Sequence, residues 1–212
     1  MSAEECDILK TEARKVLDEH AKPGSSVYVH VAAVSGMYRD LAEDKRLMKI
    51  LRPVMPQGVM FLSDKIVYKS SQKTFPTPPH VDCFYWPNTR PKLSVWIPLD
   101  DATAESGTLT VVPGSHQREW TMKNRPAAAG EFRNAIEAGG WADNDIVTCA
   151  IKRGTAIIFS DRLVHASTVN TAGKDRYAII STYHAPSPDE NFDLNFPARK
   201  VLVPAPPNAA RS

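Results

Sequence analysis

The sequence predicts a mainly β fold, a double-stranded β-helix (jelly roll) flanked by N-terminal helices. After residue 58, short β-branched and aromatic runs alternate with Pro, Gly, Asn and Asp, a pattern typical of β-sandwiches and barrels. Before residue 58, apolar residues recur instead at the three- and four-residue spacing of amphipathic helices. These two residue patterns predict N-terminal helices that pack on the outside of a β core.

Two N-terminal helices are expected to cover one sheet. The apolar spacing predicts the first from Ala3 to Glu19 and the second from Met37 to Leu51, with Pro53 ending the second. Between them lies a β-rich run at residues 27–34, which contains His30.

The β region is predicted to contain a series of short strands. We expect them at residues 59–62, 65–69, 81–86, 93–99, 108–112, 146–151, 155–160, 163–168 and 176–183. The segment 117–145 breaks this rhythm, and a long irregular insertion is usually functional or disordered. Its side chains form either a solvated loop or a lid over substrate, and the residues concerned are Arg118, Trp120, Arg125, Arg133 and Trp141.

Length and composition limit the function classes. The 212 residues are expected to form one domain, with helical support at 1–58, a jelly-roll core at 59–185 that contains the insertion 117–145, and a C-terminal tail at 186–212. The 26 Lys and Arg residues nearly balance 24 Asp and Glu, so we expect neither a nucleic-acid nor a membrane partner. Few cysteines, an acidic amphipathic start and no apolar run of about 20 residues predict a soluble, cytoplasmic protein. The oligomeric state stays open.

A His-x-Asp pair and a distant histidine form the candidate metal site. His80 and Asp82 follow two prolines, and because alternate residues of a strand share a face, both can bind one ion. His165 lies late in the β region, in the run RLVHAS. Two imidazoles and one carboxylate suit iron(II) at a site with open positions, although zinc accepts the same atoms.

Arg176 is the candidate anion-binding residue. It begins the apolar run RYAIISTYHA. If the side chain faces the barrel interior, its charge needs an anionic partner, and the planar guanidinium suits a carboxylate. Two interpretations stay open: a structural ion pair with Asp175 or another acid, and an anchor for a dicarboxylic cosubstrate.

In combination, these residues make the chain resemble the phytanoyl-CoA dioxygenase family of iron(II)- and 2-oxoglutarate-dependent oxygenases. The resemblance covers roughly residues 60 to 185. It rests on PPHVD at 78–82, LSVWIPLDDATAESGTLTVVPGSH at 93–116 and GTAIIFSDRLVHASTVNTAGKDRYAIISTYHA at 154–185. These landmarks occur in the family order, which makes their combination specific.

The resemblance assigns a role to each matching residue. It implies that the iron ligands and catalytic residues are His80, Asp82 and His165. It also implies contacts to the 2-oxoglutarate cosubstrate from Arg176 and Ser167, which hold its far carboxylate, and from Trp96, which packs beside it or only in the core. A thinner match places His30 where some members have a polar cosubstrate contact.

The implied reaction couples two oxidations. 2-Oxoglutarate and O2 give succinate and carbon dioxide, while a small organic substrate is hydroxylated. The carboxylate at Asp82 favours hydroxylation over halogenation, because the related halogenating enzymes lack one there. Desaturation, ring closure and the identity of the substrate stay open. The alternatives are a cupin-like metal hydrolase or isomerase that has no need of Arg176, and a non-catalytic binding barrel.

Overall fold

Two β-sheets pack against one another in the computed structural model, which describes residues 1–70, 72–87, 89–124, 134–136, 140–142, 145–186 and 196–206. In chain order the strands are β1 (Val27–Val29), β2 (Val59–Lys69), β3 (Thr77–His80), β4 (Lys92–Pro98), β5 (Leu109–Val111), β6 (Met122–Asn124), β7 (Asn134–Ile136), β8 (Val147–Thr148), β9 (Ile157–Ser160), β10 (His165–Ser167), β11 (Arg176–His184) and β12 (Lys200–Val203). The larger sheet has the order β1-β2-β11-β4-β9, with β12 also paired to β2. The smaller sheet has the order β3-β10-β5-β8, and β6 pairs with β7. This two-sheet arrangement is the predicted jelly roll.

Four α-helices lie before β2 in the chain, and β1 separates the first from the second. They are α1 (Ala3–His20), α2 (Val31–Val34), α3 (Gly36–Ala42) and α4 (Lys45–Val54). A capping box between Ser2 and Glu5 starts α1, and the first predicted helix is therefore confirmed. The second is divided into α3 and α4, because the Asp44 carboxylate accepts a hydrogen bond from the Arg46 backbone N–H and caps a new helix.

The larger sheet presents its two faces to different partners. Along β4, Val95 and Ile97 pack with the helices, whereas Trp96 packs in a separate cluster between the sheets. Along β11, Ala178 and Ile180 join the same inter-sheet cluster. Since alternate strand residues share a face, Arg176 points toward the smaller sheet as well. The helices thus cover the outer face, and the inner face combines this apolar cluster with the buried Arg176.

Three sequence predictions need correction or extension. Residues 81–86 are not a strand, because a 3-10 helix runs over Asp82–Tyr85. The strands expected at 59–62 and 65–69 are one continuous strand, β2. The segment expected as a C-terminal tail supplies β12, which pairs with β2. None of the helices in the described ranges is long and apolar enough to cross a bilayer.

Candidate metal centre

The three candidate ligands converge from two strands and a 3-10 helix, and they are His80, Asp82 and His165. His80 ends β3, His165 begins β10, and these two residues are direct partners in the antiparallel pairing. Val81 is extended (φ −120°, ψ 137°), so the chain brings Asp82 back to the side of His80. Each of the three offers a ligand atom within 4.8 Å of the others. Nε2 of His80 and Nε2 of His165 lie 3.6 and 3.8 Å from Asp82 Oδ1.

Backbone carbonyls fix the tautomers of both imidazoles. Nδ1 of His80 lies 2.9 Å from the Pro78 oxygen, and Nδ1 of His165 lies 2.9 Å from the Leu163 oxygen. A carbonyl oxygen only accepts, so each Nδ1 carries the hydrogen and each Nε2 keeps a lone pair. This is the orientation in which histidines bind metals. Burial lowers the pKa of His165 to about 3, which keeps this ring neutral.

Asp82 has one carboxylate oxygen that lacks a hydrogen-bond partner among the described residues. Its Oδ2 accepts a hydrogen bond from Ser94 Oγ across 3.1 Å. Its Oδ1 is buried and accepts no hydrogen bond from any described residue, which is rare for a buried polar atom. Desolvation favours the neutral carboxyl, but the positive charges nearby, Lys65 first, outweigh it and lower the pKa of Asp82 far below its usual value. An ionised oxygen between two imidazole lone pairs fits a divalent cation such as iron(II).

The triad lines a cavity between the sheets, named here the inner cavity. Arg176, Ser167 and Trp96 line the same space. Apolar side chains of Val67, Leu109, Phe159 and Ile180 form much of the remaining wall. The structure therefore places all six residues singled out by the sequence around one cavity.

Arg176 is buried in this cavity without an acidic partner. Its guanidinium donates to the carbonyl oxygens of Gly107 and Ser106 across 2.6 and 3.4 Å, and its central carbon lies 5.8 Å from the Trp96 ring centre. No described carboxylate forms an ion pair with it, and Asp175 instead approaches Arg14 at 3.8 Å. The predicted alternative of an Asp175 ion pair is therefore wrong. Burial lowers the pKa of Arg176 to about 10, so it remains charged.

Three polar residues near the site were missed by sequence reasoning. Ser94 reaches Asp82, Lys65 Nζ lies 3.9 Å from Asp82 Oδ1, and Lys69 donates to Ser167. A usable signal was present in β2, where two lysines four residues apart lie on one face of a mainly apolar strand. Ser94 likewise shares a strand face with Trp96.

A second cavity adjoins the first and is named here the outer cavity. Its volume is about 430 Å³, and Lys65 and Ile180 line both cavities. Aromatic rings from Tyr85, Trp86 and Phe196 contribute to its wall. His30 lines this outer cavity and not the inner one, with its Nδ1 3.0 Å from Ser63 Oγ. A cosubstrate contact from His30 thus has no support in this geometry.

The described part of the insertion packs on itself and on the apolar cluster that contains Val81, Val112 and Val164. The Trp120 and Trp141 rings are 5.4 Å apart in an edge-to-face contact, and Trp120 Nε1 donates to the Ser115 oxygen across 3.0 Å. Arg118 lies over the Trp120 ring at 4.9 Å. Trp120 is thus in contact with both Trp141 and Arg118, and the Arg118 side chain remains exposed to solvent. The remaining predicted pair, Arg125 and Arg133, lies outside the described residues.

Comparison with known proteins places the chain in a family. A family model described as phytanoyl-CoA dioxygenase (PhyH) matches residues 1–178. The phytanoyl-CoA dioxygenase domain-containing protein 1 of Mus musculus is 24% identical over 163 residues, which cover 74% of this chain and 54% of the mouse protein. The chain spans about half the length of this and other curated relatives that it matches.

Solved structures agree with the sequence match. EctD from S. alaskensis, solved with 2-oxoglutarate and 5-hydroxyectoine, is 26% identical with a TM-score of 0.67, over 87% of this chain and 69% of EctD. The epimerase SnoN from nogalamycin biosynthesis is 22% identical with a TM-score of 0.69, over 86% of this chain and 75% of SnoN. The latter likeness concerns the fold. Because the family model covers most of its length, the chain belongs to the phytanoyl-CoA dioxygenase family.

Proposed function

We propose that this protein is an iron(II)- and 2-oxoglutarate-dependent dioxygenase that hydroxylates a small organic substrate and releases succinate and carbon dioxide. One observation carries the proposal. A buried His-Asp-His triad with an unpartnered carboxylate oxygen shares its cavity with a buried arginine that has no acidic partner in the described residues. The ligand types of the triad suit a divalent metal ion, and the buried positive charge of the arginine is stabilised by a bound anion.

The residues divide the work between metal and cosubstrate. His80, Asp82 and His165 would hold iron(II), which when bound supplies the redox chemistry that couples O2 to oxidation of the two organic reactants. Arg176 would hold the far carboxylate of 2-oxoglutarate through parallel hydrogen bonds, and Ser167 would donate a further one. Trp96 limits the movement of the guanidinium and of the cosubstrate beside it. Apolar walls exclude water and strengthen these electrostatic contacts.

The outer cavity is the proposed entrance and binding site of the primary substrate. It shares Lys65 and Ile180 with the inner cavity, so a molecule bound there can approach the metal. Val29 is half-exposed on its rim. A Val29→Trp variant should fill the mouth, keep 2-oxoglutarate affinity and lose substrate-dependent succinate formation. Undiminished coupled turnover in this variant would place the substrate elsewhere.

A hydrolase or isomerase would use the same triad but would not need Arg176. The direct test is anaerobic addition of iron(II) and 2-oxoglutarate to the full chain, where the chelate should give a visible charge-transfer band. Asp82→Ala should abolish the band and succinate release, whereas Asp40→Ala, on an exposed helix position, should preserve both. A wild-type protein that binds iron(II) without any response to 2-oxoglutarate would favour the hydrolase or isomerase.

We also propose that residues 1–212 form one functional domain. The N-terminal helices and the larger sheet share one apolar cluster, and β12 from the C-terminal segment pairs with β2 of that sheet. A chain from which α1 is deleted should consequently expose part of the outer face of the sheet and fail to give a cooperative unfolding transition. A cooperative transition in that truncated chain would contradict the single-domain proposal.

A further inference from the structure

Ser115 is a buried serine that joins the 3-10 helix after β5 to the residue before β10. It begins that helix, which runs over Ser115–Gln117, and its exposed fraction is 2%. Its Oγ accepts a hydrogen bond from the Val164 backbone N–H across 2.9 Å. The carbonyl oxygen of Val164 accepts a hydrogen bond from the Val112 N–H across 3.0 Å. Both backbone polar groups of Val164 are therefore held by the segment from Val112 to Ser115.

The hydrogen bond from Val164 to Ser115 continues to His165 through a single peptide group. The N–H of Val164 and the carbonyl of Leu163 belong to the same planar peptide unit. His165 Nδ1 lies 2.9 Å from that Leu163 oxygen, and because a carbonyl oxygen only accepts, Nδ1 carries the hydrogen. Ser115 Oγ, this peptide group and the imidazole thus form one chain of hydrogen bonds that ends at a candidate metal ligand. Hydrogen bonds in such a chain polarise and strengthen one another.

The other histidine of the triad cannot have an equivalent chain. His80 Nδ1 lies 2.9 Å from the Pro78 oxygen. The nitrogen of that peptide group belongs to Pro79, which has no N–H to donate. A side chain therefore cannot hold the Pro78 carbonyl through the N–H of its own peptide group. His80 consequently serves as an internal control for any effect that reaches His165 by this route.

We propose that Ser115 is a positioning residue for His165, an inference that rests on the metal site of the function proposed above. By holding the N–H end of the peptide group, Ser115 keeps the Leu163 carbonyl directed at Nδ1. This contact maintains the tautomer in which Nε2 keeps its lone pair, and it raises the basicity of the ring toward a metal ion. Ser115 does not line the inner cavity, so its effect on a metal passes through the peptide group.

The first test observes the ring nitrogens of the histidines and their hydrogens by NMR, in the metal-free full chain at one fixed pH. In the wild type, both rings should carry a hydrogen on Nδ1. Ser115→Ala should shift the Nδ1 hydrogen of His165 upfield, because its hydrogen bond weakens, and should leave that of His80 unchanged. Ser115→Thr, which keeps the hydroxyl, should restore the wild-type signal. Ser70→Ala is the matched control, since the buried Ser70 hydroxyl also accepts a backbone N–H, from Lys73 across 2.7 Å.

The second test measures manganese(II) affinity by titration of the same variants. Ser115→Ala should weaken binding about fivefold, which is less than the roughly tenfold or greater loss caused by removing a group bonded directly to a ligand. Ser70→Ala should keep the wild-type affinity. If Ser115→Ala does not fold, Ser115→Cys carries the same comparison, because its sulfur is a weaker acceptor.

Three results would overturn the role of Ser115 and leave the proposed function intact. They are an unchanged His165 signal in Ser115→Ala, equal shifts of the His80 and His165 signals, and a shift of His165 without any loss of manganese(II) affinity. A wild-type protein that binds neither iron(II) nor manganese(II) would instead overturn the proposed function, whatever the signals of the metal-free protein show.

Discussion

The guanidinium of Arg176 donates a hydrogen bond to the carbonyl oxygen of Gly107 across 2.6 Å, between the two sheets. Gly107 has φ +71°, a left-handed conformation that glycine adopts without strain. This turn places a backbone acceptor beside the cation, and the guanidinium N–H groups that bond neither Gly107 nor Ser106 can bind another ligand. The position of the charge thus depends on one strand residue and one turn glycine that are distant in the sequence.

Removal of the Arg176 charge should reduce cosubstrate affinity. We expect Arg176→Met to weaken 2-oxoglutarate binding at least about 100-fold, as for one lost partner of a buried ion pair, with little change in iron(II) affinity. Anaerobic titration of the iron(II)-loaded protein measures both quantities. Arg14→Met is the control, because Arg14 lies near Asp175 outside the inner cavity. Unchanged 2-oxoglutarate affinity in Arg176→Met would remove the argument for a dicarboxylate.

Substitution of Gly107 should disturb both the fold and the position of Arg176. An added Cβ would lie 2.5 Å from the Thr168 carbonyl oxygen. We expect Gly107→Ala to lower the free energy of unfolding by about 3 kcal/mol, from left-handed strain and overpacking combined, and to weaken 2-oxoglutarate binding. Gly173 has φ +70° with open space around it, so Gly173→Ala should cost only about 1 kcal/mol. Equal losses from the two variants in urea unfolding would contradict this explanation.

Ser94 should raise the metal affinity of the site through its hydrogen bond to Asp82. Its hydroxyl holds Oδ2 and so directs Oδ1 toward the two imidazoles. Loss of such a supporting hydrogen bond typically weakens metal binding about tenfold, and we expect this for Ser94→Ala in an iron(II) or manganese(II) titration. Ser181 is buried in the neighbouring strand, opposite Val95 of the outer face, so Ser181→Ala should keep metal affinity. A wild-type affinity in Ser94→Ala would show that the carboxylate is oriented by other contacts.

Asp64 should make stability depend on pH. Burial raises its pKa to about 7, although backbone N–H groups such as that of Ala32 donate to it. Between its ordinary value of 3.8 and about 7, the folded protein keeps a proton that the unfolded chain has lost. The free energy of unfolding should therefore fall as pH rises through this range, by roughly 4 kcal/mol at most.

Urea unfolding at about pH 5 and about pH 8 measures this dependence. Asp64→Asn should reduce the difference in the free energy of unfolding between the two pH values, because the amide does not ionise. Asp40→Asn, at an exposed position, should keep the wild-type difference. An identical pH dependence in wild type and Asp64→Asn would show that other groups are responsible.

The sequence predicted the site better than it predicted the local structure around it. The His80 and Asp82 pair was expected on one strand, but Asp82 begins a 3-10 helix. The two side chains still share a face, because only the intervening Val81 must be extended for this. A local spacing rule can therefore place two candidate ligands on one side even when the predicted element that holds Asp82 is wrong.

The inward position of Lys69 could not be predicted from the sequence. A lysine at the end of an apolar strand is ordinarily expected at the surface, and only the pairing of β2 with β11 places it opposite Arg176. The same holds for Lys65, whose ammonium group lies near Asp82. Both contacts join residues that are separated in the sequence, and a local sequence pattern does not predict contacts of this kind.

By itself, the sequence predicted the first helix, most strands, three candidate metal ligands and the arginine, since these follow from periodicity, residue chemistry and order along the chain. Only the tertiary structure decided that Arg176 has no acidic partner among the described residues, that Lys65 and Lys69 point inward, and that a second cavity adjoins the first. The physical reason is that burial and charge pairing depend on which strands become neighbours. That choice is made by packing of the two sheets and the helices, and not by any single segment.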